Sequence, residues 1–320
     1  MPPSPRLLSV VALACFSLMG LAACGDNAAS TTQTTGTTDT GGGGAGGTGS
    51  AGGGTGGGEQ HTTPDPMFLP KPTSTCPELA QGTITVSPDG KPRDVRIWMS
   101  EAATTMDGPI VFFWHGVGGS PEDATYALGP TVMEQLAAMG GILAAPVHDP
   151  GAGQFPWYLT LGGGDESDLR VMDEVLACAI EKIGVDLRRI HSVGFSAGAM
   201  NTTQVGWRRS GYIASVVTFS GAQIGSPPDQ DPNNLYPAMV VHGGPEDVVV
   251  INFKDNSEKY AQGLKDEGHF SFICDHGKKH TIPADIRVPA WQFLLDHPFG
   301  EQPEPYSGGL PSGFPAYCSL

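Results

Sequence analysis

The chain has 320 residues, 39% of them hydrophobic and 16% charged, enough for one sizeable core. Its formal net charge is -16 and its pI about 4.8. That balance argues against nucleic acid and against anionic lipid as partners, and says little about fold.

The first residues read as an address. Arg6 gives a thin basic region, and Leu7 to Ala23 is apolar. Leu21-Ala22-Ala23-Cys24 then resembles the bacterial lipobox, which implies cleavage before Cys24 and acylation of its thiol and amino group. The alternatives are an ordinary export signal or an uncleaved anchor. The expected location is an exported protein, lipid-anchored to a bacterial membrane, the outer one by preference. It would face the periplasm or the cell surface, or be released. No other stretch is long and apolar enough to span a membrane. From Asp26 to about Pro72 the chain is mostly Thr, Gly, Ala and Ser. Such a composition cannot bury a core and predicts a tether spanning on the order of 40 Å. The expected division is a lipoprotein signal peptide over 1–23, a tether over 24–75 and a catalytic domain over 76–320.

Four of the six cysteines, Cys76, Cys178, Cys274 and Cys318, fall in the exported domain. An even number in an oxidising compartment predicts two disulfides with three possible pairings. The favoured pairing is Cys274–Cys318, which would pin the tail, with Cys76–Cys178. A free, buried Cys178 on an apolar helix face is the alternative. Their spacing does not suggest a metal site.

In chain order, Gly82 to Val86 and Arg93 to Met99 alternate apolar and polar around Pro88-Asp89-Gly90-Lys91, which predicts an antiparallel hairpin. Pro109 to Trp114 is a continuous apolar run, as for a strand buried on both faces. It ends in His115-Gly116-Val117-Gly118-Gly119. Thr131 to Met139 reads as helix and Gly141 to Val147 as a buried strand. The loop from Asp149 to Gly164 carries Phe155, Trp157 and Tyr158, and Asp168 to Ile183 is a long amphipathic helix. A strand leads into Gly194-Phe195-Ser196-Ala197-Gly198, and a helical segment follows. Val216 to Ser220, Ala238 to His242 and Phe270 to Cys274 are further strands, and Pro289 to Leu295 is the last helix. A hairpin followed by alternating strands and helices predicts an α/β fold: a mostly parallel sheet with helices on both faces and its site beyond the strands' carboxyl ends.

Strand, sharp turn and helix around Gly-x-Ser-x-Gly is the setting of a nucleophile elbow, and chance is the alternative in a chain with 46 glycines. A serine hydroxyl needs a neighbouring base, and the base needs an orienting carboxylate. The acid should follow the strand ending at His242. Asp247 is favoured, with Glu246 as runner-up. The base should follow the last strand. His280 has the reach, whereas His276 comes too soon, and His269 is expected exposed at the opposite end of the sheet. An oxyanion would be met by the backbone N–H of Ala197 and that of Gly116 or Val117. His115, Trp157 and Tyr158 are candidate substrate contacts, although loop aromatics also pack on their own domain.

His-Gly after a buried strand, Gly-Phe-Ser-Ala-Gly-Ala-Met, His-Gly followed by Asp, and Gly-x-x-His-x-x-Pro resemble the secreted PHB depolymerase and feruloyl or acetylxylan esterase group of α/β-hydrolases. The resemblance runs from about Thr83 to Pro298. It implies an α/β-hydrolase fold and a serine esterase with Ser196 as nucleophile, Asp247 as acid and His280 as base. No cofactor or metal is implied. Many relatives carry the acid four residues after the strand-end histidine, where Glu246 stands here. The glycine run before the histidine is Gly277-Lys278-Lys279 in this chain. The expected function is hydrolysis of polyester or plant-polymer esters by a monomer, with the membrane engaged only through the N-terminal lipid. A catalytically silent, tethered polysaccharide-binding module and a serine peptidase are the rival readings.

Overall fold

A computed structural model describes residues 65–225, 227, 228, 230 and 234–320. The expected signal segment, Cys24 and most of the expected tether lie outside the described residues. The described chain packs onto the domain before Cys76. The N–H and hydroxyl of Thr73 donate to one oxygen of Glu174, both at 2.8 Å, and those of Ser74 to the other at 2.8 and 2.6 Å.

Nine strands form one sheet, in the order β1-β2-β4-β3-β5-β6-β7-β8-β9. Gly82–Val86 (β1) and Arg93–Trp98 (β2) make the antiparallel hairpin, and β2 runs antiparallel to Ile142–Pro146 (β4). Ile110–Trp114 (β3), β4, Ile190–Phe195 (β5), Ser215–Phe219 (β6), Ala238–His242 (β7) and Ser271–Asp275 (β8) are parallel. Helices cover both faces of these strands. This explains why β3, β4, β6 and β7 are buried at every position and read as unbroken apolar runs.

The helices are Asp123–Leu128 (α1), Pro130–Ala138 (α2), Ser167–Lys182 (α3), Ala197–Arg208 (α4), Phe253–Asp266 (α5) and Arg287–Asp296 (α6). Two apolar layers result. One lies under α3, α4 and α5 and holds Phe112, Trp114, Leu169, Met172, Trp207 and Tyr236. The other lies under α1, α2 and α6 and holds Phe113, Leu136, Phe272, Trp291 and Phe293.

Two residues, Cys318–Ser319 (β9), close the flank of the sheet antiparallel to β8. Too short to carry a period of its own, β9 is the strand the sequence reading lacks. Cys274 and Cys318 face each other across that pair and form one disulfide, and Cys76–Cys178 forms the other. His269 departs from expectation. It is 3% exposed, its Nδ1 lies 2.8 Å from the carbonyl of Tyr236, and the rings of Tyr236 and Trp207 pack on it. A carbonyl and two aromatic faces take the place of water. No helix among the described residues is long and apolar enough to cross a membrane.

Candidate active site

The site is built from loops at the carboxyl ends of β3, β5, β6, β7 and β8. Ser196 stands between β5 and α4 with φ 57° and ψ -123°. That left-handed backbone strains a side chain other than glycine, and surrounding structure must hold it. Two bonds do so: the Ser196 N–H donates to the Phe219 carbonyl at 2.9 Å, and its own carbonyl accepts from Met200 at 3.1 Å.

The two glycines of the pentapeptide are there for space. A Cβ on Gly194 would lie 2.2 Å from the Gly198 carbonyl oxygen, and one on Gly198 would lie 1.9 Å from that of Trp114. Both are impossible without moving backbone. Helix α4 is therefore drawn tight against β3 and β5, with Ser196 as its N-cap residue. Its far end is tied down as well. Arg209 bonds Asp173 and Glu166 at 2.8 and 3.0 Å, and Tyr212 donates to Asp173.

Asp247 follows β7 in a tight loop, and its side chain is fully buried. Its Oδ1 lies 2.7 Å from Nδ1 of His280, and its Oδ2 accepts the N–H of Gly243 at 2.8 Å. Burial pushes its carboxyl up. The bonds from His280 and the Gly243 N–H, with the nearby Ser220 hydroxyl, outweigh that and hold it below the ordinary carboxylate range. Ser220, at the end of β6, is itself left-handed, with φ 50°. Glu246 turns the other way. It is 71% exposed and pairs with Lys279 at 2.8 Å.

The loop after β8 delivers His280. Lys279 donates its N–H to the Gly243 carbonyl at 3.0 Å, so the acid loop and the histidine loop are joined backbone to backbone. His280 remains 22% exposed. The phenyl ring of Phe195, next to Ser196, packs on the imidazole with centroids 4.7 Å apart. His276 is buried, and burial lowers its pKa. Its Nδ1 accepts the Lys278 N–H at 3.1 Å.

On the other side of Ser196 lies the β3 loop. A Cβ on Gly116 would lie 3.0 Å from the Ser196 Cβ, so the Gly116 backbone packs directly against the Ser196 side chain. Ala197 is the first helical residue of α4, whose N–H has no partner within the helix. Val117 is 60% exposed.

His115 and Trp157 lie beneath this loop, each 1% exposed. The Trp157 indole N–H donates to the His115 carbonyl at 2.8 Å, bracing the peptide that leads into Gly116. Nδ1 of His115 lies 2.8 Å from the Gly116 carbonyl, so Nδ1 carries the proton. Burial lowers the pKa of His115 and favours the neutral ring. Its Nε2 then accepts from Nδ1 of His148 at 3.3 Å. Tyr158 is half-buried, and its hydroxyl donates to Asp149 at 3.2 Å. Ser220, Gly243 and Trp157 as a strut were not legible in the sequence, since each acts through a neighbour distant along the chain.

No protein-family model matches the sequence, and no curated protein does. Solved structures do match. The chain is similar to pOPH, solved in complex with DMSO, at 18% identity and a TM-score of 0.61, covering 77% of this chain and 95% of that one. It is similar to native sOPH at 16% identity and a TM-score of 0.59, covering 78% and 96%. A thermostable esterase matches at 16% identity and a TM-score of 0.54, covering 68% and 62%. At these identities the likeness concerns the fold, and the fold is that of the α/β-hydrolases.

Proposed function

We propose that this chain is a serine carboxylic-ester hydrolase that works through Ser196, His280 and Asp247. One observation carries the reading: the buried Asp247 carboxylate meets Nδ1 of His280 at 2.7 Å, and the imidazole packs on the residue next to Ser196. A carboxylate on Nδ1 fixes the tautomer that leaves Nε2 free to accept a proton. The strained turn and the N-terminus of α4 suit a nucleophile beside backbone donors.

In this mechanism the Ser196 oxygen attacks the ester carbonyl while its proton passes to Nε2 of His280. The carbonyl oxygen, now negative, takes hydrogen bonds from the N–H of Ala197 and from that of Gly116 or Val117. The intermediate collapses, the C–O bond to the alcohol breaks, and His280 returns the proton to the departing oxygen. Water repeats the sequence on the acyl-enzyme and frees Ser196. Polyester and plant-polymer esters are the substrate class; His115 and Trp157, both buried, act by bracing the Gly116 loop rather than by touching substrate. Two disulfides suit an oxidising compartment and support the reading of an exported protein, held at a membrane through Cys24.

Replacing Ser196 by Ala should reduce hydrolysis of short p-nitrophenyl esters by several orders of magnitude, to roughly the 10³–10⁴-fold residual that binding and oxyanion contacts alone supply. A fluorophosphonate should label the wild-type serine and leave the variant unlabelled. Turnover that survives the substitution would end the assignment. A panel of polyester film, feruloylated arabinoxylan, acetylated xylan and matched amides then fixes the substrate.

A further inference from the structure

We infer that Phe253 and Phe195 are positioning residues for His280: two phenyl rings hold the imidazole in line and stabilise its positive charge while it carries the serine proton. This rests on the esterase reading above. The Phe253 ring lies 4.7 Å from the imidazole, centroid to centroid, at an interplanar angle of 20°, and Phe195 lies at the same distance at 34°. The Phe253 pair is stacked and the Phe195 pair tilted, so the imidazole meets the electron-rich face of Phe253 and packs obliquely on Phe195. A cation above such a face is attracted to it, and more strongly where water is excluded. Phe253 is 5% exposed, so its face of the imidazole is dry.

The chain geometry gives this contact its precision. Phe253 and Asp247 are the two ends of one short loop. The Phe253 N–H donates to the Asp247 carbonyl at 2.9 Å, and Val248 pairs with Asn252 just beyond. The loop is closed at its neck, and its three valines, Val248 to Val250, turn outward. Asp247 thus grips the edge of the imidazole while Phe253, fixed to the same neck, covers its plane. Asn252 caps α5 by accepting the Asp255 N–H at 3.2 Å, which stops the helix from carrying Phe253 away. Phe195 comes from the nucleophile turn. The base is therefore gripped by neighbours of both its partners, and a shift of either one would be felt by the ring.

The test compares Phe253→Leu, which keeps an apolar group of similar size, with Phe253→Tyr, which keeps the aromatic face. In the full chain, Phe253→Leu should lower kcat on p-nitrophenyl butyrate about 10-fold with KM within about two-fold, and Phe253→Tyr should recover most of it. Unchanged urea midpoints check that both variants are folded. A loss confined to KM, an undiminished kcat in the leucine variant, or no recovery in a folded tyrosine variant overturns the inference. A second readout needs no turnover. The His280 carbon-bound protons, assigned with His280→Gln, should resonate upfield in the wild type and move downfield in Phe253→Leu. An upfield shift in a protein that hydrolyses no ester would keep the aromatic contact and remove the esterase reading. Normal turnover with no ring-current shift would do the reverse.

Discussion

Under the proposed mechanism, the choice between the adjacent carboxylates Asp247 and Glu246 rests on direction alone. Asp247 is buried and bonded to His280, and Glu246 is in solvent with Lys279. Asp247→Asn should therefore reduce kcat on the order of 10³–10⁴-fold, because an amide no longer fixes the imidazole tautomer. Glu246→Gln should stay within about three-fold, as removal of an exposed ion pair does. Steady-state kinetics on one chromogenic ester decide it, and the opposite ranking would move the acid role to Glu246. The residue scale also marks how far the sequence could be read. The strand-turn-helix at Ser196 is legible because its glycines answer to local sterics. Asp247 was ranked first, but separating it from Glu246 required knowing which carboxylate turns inward. Trp157 and His115 were candidate substrate contacts by their place in a loop, and their burial as supports for Gly116 depends on what packs around them.

At the scale of elements, apolar runs marked the buried strands, and an amphipathic stripe marked α3. The bounds of helix α5 and the strand β9 are hidden for different reasons. The start of α5 follows three exposed valines that break any helical period, and β9 has only two residues. The seam between the acid loop and the histidine loop was hidden too, since it is made of backbone. A Cβ at Gly243 would lie 1.8 Å from the Lys279 carbonyl oxygen. Gly243→Ala must push the two loops apart, at about 1–3 kcal/mol by the usual cost of overpacking. Because His280 is the next residue, kcat should fall well before the fold is lost. Urea denaturation and turnover measured on the same sample separate the two effects, and an active, fully stable variant would contradict the described seam.

For the molecule as a whole, Cys76–Cys178 links the chain just before β1 to α3 and closes a loop with a sequence separation of 102. Restricting a loop of that length in the unfolded chain stabilises the fold by about 2–4 kcal/mol. The double variant Cys76→Ala, Cys178→Ala should lose that much in a denaturant titration while its ester turnover at room temperature stays near wild type. The bridge joins these cysteines to each other rather than to Ser196, Asp247 or His280, and α3 is also held through Glu174, Asp173 and Arg209. A variant as stable as the parent would mean that the unfolded chain is already compact. The other bridge has a different consequence. Strand β8 would be the open border of the sheet, offering a row of unmet amides and carbonyls to any extended peptide nearby. Two residues of β9 occupy that row, and Cys318 is fastened to Cys274 within it. The cover on that border is thereby tied in part to the redox state of its surroundings: under reducing conditions the two-residue pairing of β9 and the packing of Tyr306 and Phe314 on Phe272 are left to keep a neighbour's backbone away.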